Sequence, residues 1–143
     1  MRLALPELQT LVAQALERAG ANTAMAQSTA QALVLAEVQG IGSHGLSRVP
    51  QYAAHLRNGR VNGAAVPRVI QRRGGALVVD ADDGLAFGAC GLAVAEAMAA
   101  AREHGIAFVG VINSHHAGAL CDHVRPIAHA GMVGLGFANS PAA

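Results

Sequence analysis

Residues 40–45 read Gly-Ile-Gly-Ser-His-Gly, a glycine-flanked turn that carries Ser43 and His44, with Arg48 four residues beyond His44. Histidine exchanges protons near neutral pH, and a guanidinium grips a carboxylate through paired N–H donors. Together these groups suit a small carboxylate substrate that gains or loses a proton. The same residues also fit a plainer role, a corner between two helices with Ser43 capping and His44 on the surface. Gly40, Gly42 and Gly45 match the G-x-G-x-x-G spacing of a dinucleotide-binding turn, but that turn needs a strand before it, a long helix after it and an acidic residue about twenty positions on. Here a helical pattern precedes the turn, a short helix follows, and Asn62 and Gly63 stand where the acid belongs. A nucleophile elbow is excluded too, because Ile41 rather than glycine lies two positions before Ser43.

A second group, Asn-Ser-His-His-Ala-Gly-Ala-Leu-Cys-Asp-His at residues 113–123, follows directly on the apolar run Ile-Ala-Phe-Val-Gly-Val-Ile-Asn. If that run is a parallel strand, Asn113, His115 and His116 lie at its carboxyl end, where open parallel sheets bind ligands. Asn139 and Ser140 end the next apolar run, Met-Val-Gly-Leu-Gly-Phe-Ala-Asn. One βαβ unit would then direct all five toward a single crevice; the alternative is that the Asn and Ser residues only cap helices. His115, His116, Cys121, Asp122 and His123 are each potential zinc ligands, yet no C-x-x-C or H-E-x-x-H spacing organises them, and no metal site is expected. Cys90 reads as a small buried apolar residue, and Asp80, Asp82 and Asp83 as a turn at a strand end.

The elements that must carry these groups follow from periodicity and punctuation. Pro6 suits a first helical turn, and Leu8, Leu11, Val12, Ala15, Leu16 and Ala19 continue at helical spacing to a stop at Gly20. Asn22 or Thr23 caps a second helix that runs to Gly40. Ser47 caps a short third helix with Tyr52 and Leu56, closing near Gly59, which places Arg48 in its first turn. Two β-rich runs, Pro67–Arg73 and Gly75–Gly84, precede an alanine-rich helix over residues 86–104 that ends at Gly105. The two apolar runs described above are expected to be buried parallel strands, joined by a helix from about residue 118 to 130 that Pro126 kinks or breaks. The expected fold is α/β: a helical segment over residues 1–62 carrying the Ser-His-Gly turn, then from 63 to 143 the start of an α/β cofactor-binding domain with a mostly parallel sheet. A chain ending at Ala143, directly after a strand of such a sheet, reads as the N-terminal portion of a longer one.

Composition narrows the partners. The 143 residues are 52% hydrophobic but only 3% aromatic, which favours close helix–sheet packing, and the formal net charge is +1. No basic stretch marks a nucleic-acid surface, and no apolar stretch reads as a leader or a membrane span. Two cysteines make no disulfide framework, so a cytoplasmic protein is expected.

These residues together resemble the type-2 malate/L-lactate dehydrogenase family, which includes ureidoglycolate and sulfolactate dehydrogenases and the Δ1-piperideine-2-carboxylate/Δ1-pyrroline-2-carboxylate reductases. Residues 37–52, EVQGIGSHGLSRVPQY, look like its first signature; 105–120, GIAFVGVINSHHAGAL, resemble its second; 131–143, GMVGLGFANSPAA, its third. The resemblance implies a homodimeric oxidoreductase that uses NAD or NADP, with a fold distinct from the Rossmann domain. It makes His44 the proton donor, Ser43 the serine that relays to it, and Arg48, with Tyr52, the substrate-binding pair. His116 matches a histidine given acid/base work in some members and a place in the nicotinamide pocket in others; Ala117, Gly118, Ala119, Leu120 and Ser140 would also contact the cofactor. Hydride would pass between the nicotinamide and the 2-carbon of a 2-oxo or 2-hydroxy acid, or of a cyclic imino acid. The family's aspartate and later cofactor loops would lie beyond Ala143. From Cys121 the chain reads CDHV where many members carry a glycine and tyrosines, a departure that leans toward the cyclic-imine reductases. The competing expectation is a non-catalytic fragment that associates with itself or with a full-length partner through an open sheet edge.

Overall fold

The computed structural model describes residues 3–139. Helix α1 (Leu5–Arg18) opens with Pro6 in its first turn, and the Glu7 carboxylate accepts the Ala4 N–H. Gly20, at φ +113°, turns the chain into α2 (Thr23–Val38). Of the two expected caps, Asn22 is the one used: its Oδ1 accepts the Met25 N–H at 2.9 Å, while its amide donates to the Ala65 carbonyl. The Ser-His-Gly turn forms two single 3₁₀ turns, Gly42–His44 and Leu46–Arg48, before α3 (Val49–Arg57).

This start corrects one expectation. Ser47 does not cap α3; its hydroxyl donates back to the Gly42 carbonyl at 2.6 Å, and Arg48 occupies the cap position just outside the helix. The tight 3₁₀ geometry consumes the residues that a longer helix would have used.

Strands β1 (Arg68–Arg73) and β2 (Ala76–Asp80) form an antiparallel hairpin, with a register shift between Val69 and Gln71. Helix α4 (Ala86–His104) ends at Gly105, whose φ of +81° is the left-handed stop its sequence predicts. It leads to β3 (Phe108–Ile112), which pairs in parallel with β2 from Ala76↔Phe108 to Asp80↔Ile112. The mixed sheet has the order β1-β2-β3, and β2–α4–β3 is the βαβ unit of the fold. Val79, Ala81, Ala89 and Ala93 pack between sheet and helix, joined by Val69, Leu92, Val109 and Val111. Small alanines on α4 let it lie close on the β-branched face.

A larger core ties the three N-terminal helices together around Leu16, Leu33, Val34 and Tyr52. Leu85 and Phe87, at the start of α4, reach into the same core, so the helical layer and the sheet layer share a seam. Helix α5 (Leu120–His129) runs through Pro126 without a break.

The second apolar run departs from expectation. Met132–Asn139 forms no strand, and among the described residues nothing pairs with the outer edge of β3. Gly134 and Gly136 lie against Ile127 and Val124 of α5, while Val133, Leu135 and Phe137 are 94%, 81% and 87% exposed. The alternation of a strand is present, but the neighbour that would complete its hydrogen bonds is not. Asn139 therefore does not end a second strand beside Asn113, and Ser140 lies outside the described residues.

Candidate active site

Because β2 and β3 run in parallel, their carboxyl ends, Asp80 and Ile112, lie at one edge of the sheet. The loop 113–119 leaves from this edge and is tied down along its length. Asn113, in the left-handed region at φ +50°, accepts the Asp83 N–H on its carbonyl and donates its amide to Asp80 Oδ1 at 3.0 Å. The N–H of Asp82 and the amide of Asn113 hold the Asp80 carboxyl below its ordinary range. The His115 N–H donates to the Gly84 carbonyl at 3.1 Å. Further on, His123 Nε2–H donates to the Ala117 carbonyl at 2.6 Å. Gly118, at φ +70°, sits so close to the Phe87 ring that a β-carbon would stand 2.7 Å from it.

The adjacent histidines of this loop diverge, and α3 holds each of them. His116 Nδ1 is 2.8 Å from the Tyr52 hydroxyl. His115 Nε2 is 2.9 Å from His55 Nδ1, and the two rings meet edge to face. Burial and the charges of His55, Arg60 and His116 lower the His115 pKa to about 4, and His116 is lowered by burial and by Arg48 and His44. His115 is therefore neutral at pH 7, and the shift at His116 favours its neutral form. Tyr52 is fully buried, and burial raises its phenol to about 12, so it keeps its proton.

Opposite this loop stands the Ser-His-Gly turn. The Ser43 hydroxyl is 3.0 Å from His44 Nδ1, and the His44 ring stacks on His116 at 5.6 Å between centroids with 29° between planes. Arg48 Nε donates to the Ser43 carbonyl at 2.6 Å and Nη1 to Gln51 Oε1 at 3.0 Å. Two of its five N–H groups are thus engaged, which orients the guanidinium and leaves donors for a ligand. The structure therefore brings Ser43, His44, Arg48, Tyr52 and His116 together, and they adjoin the loop of Ala117, Gly118, Ala119 and Leu120. Such an assembly can bind a carboxylate, move one proton and present small-residue backbone to a flat ring.

The sequence pattern of the malate/L-lactate dehydrogenase family matches residues 3–143. The chain belongs to that family. It is 42% identical over 141 residues to the (2R)-3-sulfolactate dehydrogenase (NADP(+)) of Chromohalobacter salexigens, covering 99% of this chain and 42% of that protein. It is 38% identical over 140 residues to the Δ1-pyrroline-2-carboxylate/Δ1-piperideine-2-carboxylate reductase of Pseudomonas putida, covering 98% and 41%. The solved Δ1-piperideine-2-carboxylate reductase of Pseudomonas syringae superposes with a TM-score of 0.86 at 32% identity, over 92% of this chain and 40% of that one. The malate dehydrogenase of Pyrococcus horikoshii does so at 0.83 and 27%, over 92% and 38%. The chain spans about two-fifths of the length of the curated relatives it matches.

Within this malate/L-lactate dehydrogenase fold, two neighbours of the site escaped the sequence reading. His55 shares a face of α3 with Tyr52, three residues on, a spacing that could have marked it. Glu37, at the end of α2, accepts the Leu46 N–H at 3.0 Å and so braces the Ser-His-Gly turn. Cys90 is half-buried, and its thiol is pushed up to about 11 by burial, which keeps it protonated. Among the described residues, no group of three or more His, Cys, Asp or Glu side chains could hold a metal ion. Nor is any described helix long and apolar enough to cross a membrane.

Proposed function

We propose that the protein is an NAD- or NADP-linked oxidoreductase acting at the 2-carbon of a small 2-oxo or 2-hydroxy acid, or of a cyclic imino acid. The observation that carries this reading is the stacking of His44 on His116 directly beside Arg48. A proton-exchanging imidazole and a carboxylate-binding guanidinium on one short turn are the parts that a 2-substituted carboxylate requires. The named activities of the relatives, on sulfolactate and on cyclic imino carboxylates, point the same way.

His44 gives a proton to the oxygen or imine nitrogen of the substrate, or takes it back in the other direction. Ser43, hydrogen-bonded to His44 Nδ1, orients that ring and relays its proton. Arg48 binds the carboxylate and so fixes which carbon faces the cofactor. Tyr52, which the family resemblance pairs with Arg48, backs the site from behind His116, and His116 supports His44 from the other side. The nicotinamide, when bound, supplies or accepts the hydride at the 2-carbon.

The loop suits such a group, since Gly118 is packed against Phe87 and its neighbours Ala117 and Ala119 are small, so backbone rather than bulky side chains is offered to a flat ring. His116, Ala117, Gly118, Ala119 and Leu120 would hold the cofactor, with Ser140 added from outside the described residues. We further propose a cytoplasmic homodimer, as the family resemblance implies. The test is His44→Ala in the purified protein: turnover should vanish while cofactor affinity stays within about threefold, less than the tenfold that about 1.4 kcal/mol represents. Retained turnover with lost cofactor binding would reverse the assignment.

A further inference from the structure

Which proton His116 carries decides what it can do, and the structure contains the answer. The Gly118 backbone N–H points at His116 Nδ1, 3.2 Å away. A backbone amide can only donate, so Nδ1 bears no proton. The Tyr52 hydroxyl, 2.8 Å from the same atom, must then be a donor as well. In neutral imidazole the single proton lies on the other nitrogen, Nε2.

We propose that Tyr52 is a positioning residue whose hydroxyl, with the Gly118 N–H, occupies His116 Nδ1 and fixes the ring as its Nε2–H tautomer, so that His116 acts as a hydrogen-bond donor to an oxygen of the bound reactants while His44 alone exchanges the proton. This deepens the oxidoreductase reading above and rests on it for the identity of the reactants.

The surroundings of Tyr52 serve this purpose. Its side chain is 1% exposed, and its ring is wedged between Phe87 at 6.2 Å and His115 at 5.8 Å between centroids. The hydroxyl is therefore presented in one direction, to His116. One helical turn on, His55 holds His115, so α3 keeps the two adjacent histidines apart and leaves only His116 facing His44. Protonating Nδ1 would set its N–H against the Gly118 N–H and add positive charge beside Arg48. Both effects hold His116 neutral, in agreement with its lowered pKa. A ring locked in this way is poorly suited to taking up a proton in each turnover and well suited to polarising a carbonyl.

The experiment is NMR of the ring nitrogens in purified protein labelled with ¹⁵N-histidine, with His116→Gln identifying the His116 signals. The expected result is a protonated Nε2 and a bare Nδ1. Tyr52→Phe leaves the Gly118 N–H as the one donor on Nδ1, so it should weaken the preference for the Nε2–H tautomer and raise the His116 titration by about half to one pH unit, the equivalent of one neutral hydrogen bond. It should also lower kcat about tenfold, with KM for the carboxylate within about twofold. Tyr52 is the sole tyrosine of the chain, so 3-fluorotyrosine can be placed there alone, with only a small change in size. Its stronger donor should lower the His116 titration, which keeps the proposal testable if Tyr52→Phe folds poorly. An Nδ1–H signal in the unmodified protein overturns the proposal, as does a His116 titration indifferent to both changes. Absence of turnover with the expected nitrogen pattern would count against the oxidoreductase reading instead.

Discussion

The carboxylate of Glu37 and the backbone of Gly45 occupy adjoining space: Glu37 Oε2 accepts the Leu46 N–H at 3.0 Å and lies where a β-carbon on residue 45 would stand. The glycine thus makes room for a side chain from α2. Gly45→Ala should push the carboxylate aside and release the Leu46 N–H, costing about 1 kcal/mol for one exposed charge-assisted hydrogen bond. Because His44 and Arg48 flank this point, activity should fall by more than stability does. Glu37→Gln, which keeps an acceptor, should be milder on both counts. Urea midpoints and initial rates for the two variants check the order.

Gly118 faces a stricter requirement. Its φ of +70° disfavours any β-carbon, and the Phe87 ring leaves no room for one. Gly118→Ala should cost about 1 to 2 kcal/mol in backbone conformation alone, with the ring clash added. The loop would lift from α4 and withdraw the Gly118 N–H from His116. A loss of cofactor affinity by at least about tenfold is expected, the equivalent of about 1.4 kcal/mol, measured by fluorescence titration. Phe87→Leu in the same background should restore part of it by making room.

Arg48 is held by its Nε on the Ser43 carbonyl and by Nη1 on Gln51. Lysine keeps the charge but loses the fork that meets these partners and a carboxylate together. Arg48→Lys should therefore raise KM for the carboxylate substrate by roughly 10- to 100-fold, the scale of a lost charge-assisted contact. The KM for the cofactor should stay nearly constant. Equal effects on both would show that Arg48 shapes the whole cleft rather than one ligand.

Local chemistry made much of this arrangement legible from the residues. Gly20 and Gly105 stop their helices, and Asn22 starts one, because caps and left-handed stops need only a few neighbouring residues. The grouping of Ser43, His44 and Arg48 was readable for the same reason. The Met132–Asn139 run was misread because a strand exists only when another strand pairs with it, and alternating apolar residues show merely that it could. The His55–His115 contact spans 60 residues and joins a helix to a loop that no periodicity connects. The family resemblance drew attention to Tyr52, but the direction of its hydroxyl depends on Phe87 and His115 packing around it.

The same pair of histidines makes stability depend on pH. His115 is held neutral in the fold, with a pKa lowered to about 4 by burial and by His55, Arg60 and His116. Its unfolded value is near 6.5, so between those two values the unfolded chain binds more protons and stability falls as pH falls. Above about 6.5 the contribution is complete. The full shift corresponds to about 3 kcal/mol at 1.36 kcal/mol per unit, but the ring is only half-buried and water screens it, so about 1 to 2 kcal/mol should be observed. Its Nδ1 atom has no hydrogen-bond partner, which suits an unprotonated nitrogen better than an N–H, because a bare acceptor is the cheaper group to leave unpaired. His115→Phe removes the titrating group while filling the space against Tyr52. Its urea midpoint should change less between pH 7.5 and pH 4.5 than that of the unmodified protein, and an unchanged slope would assign the acid sensitivity to other groups.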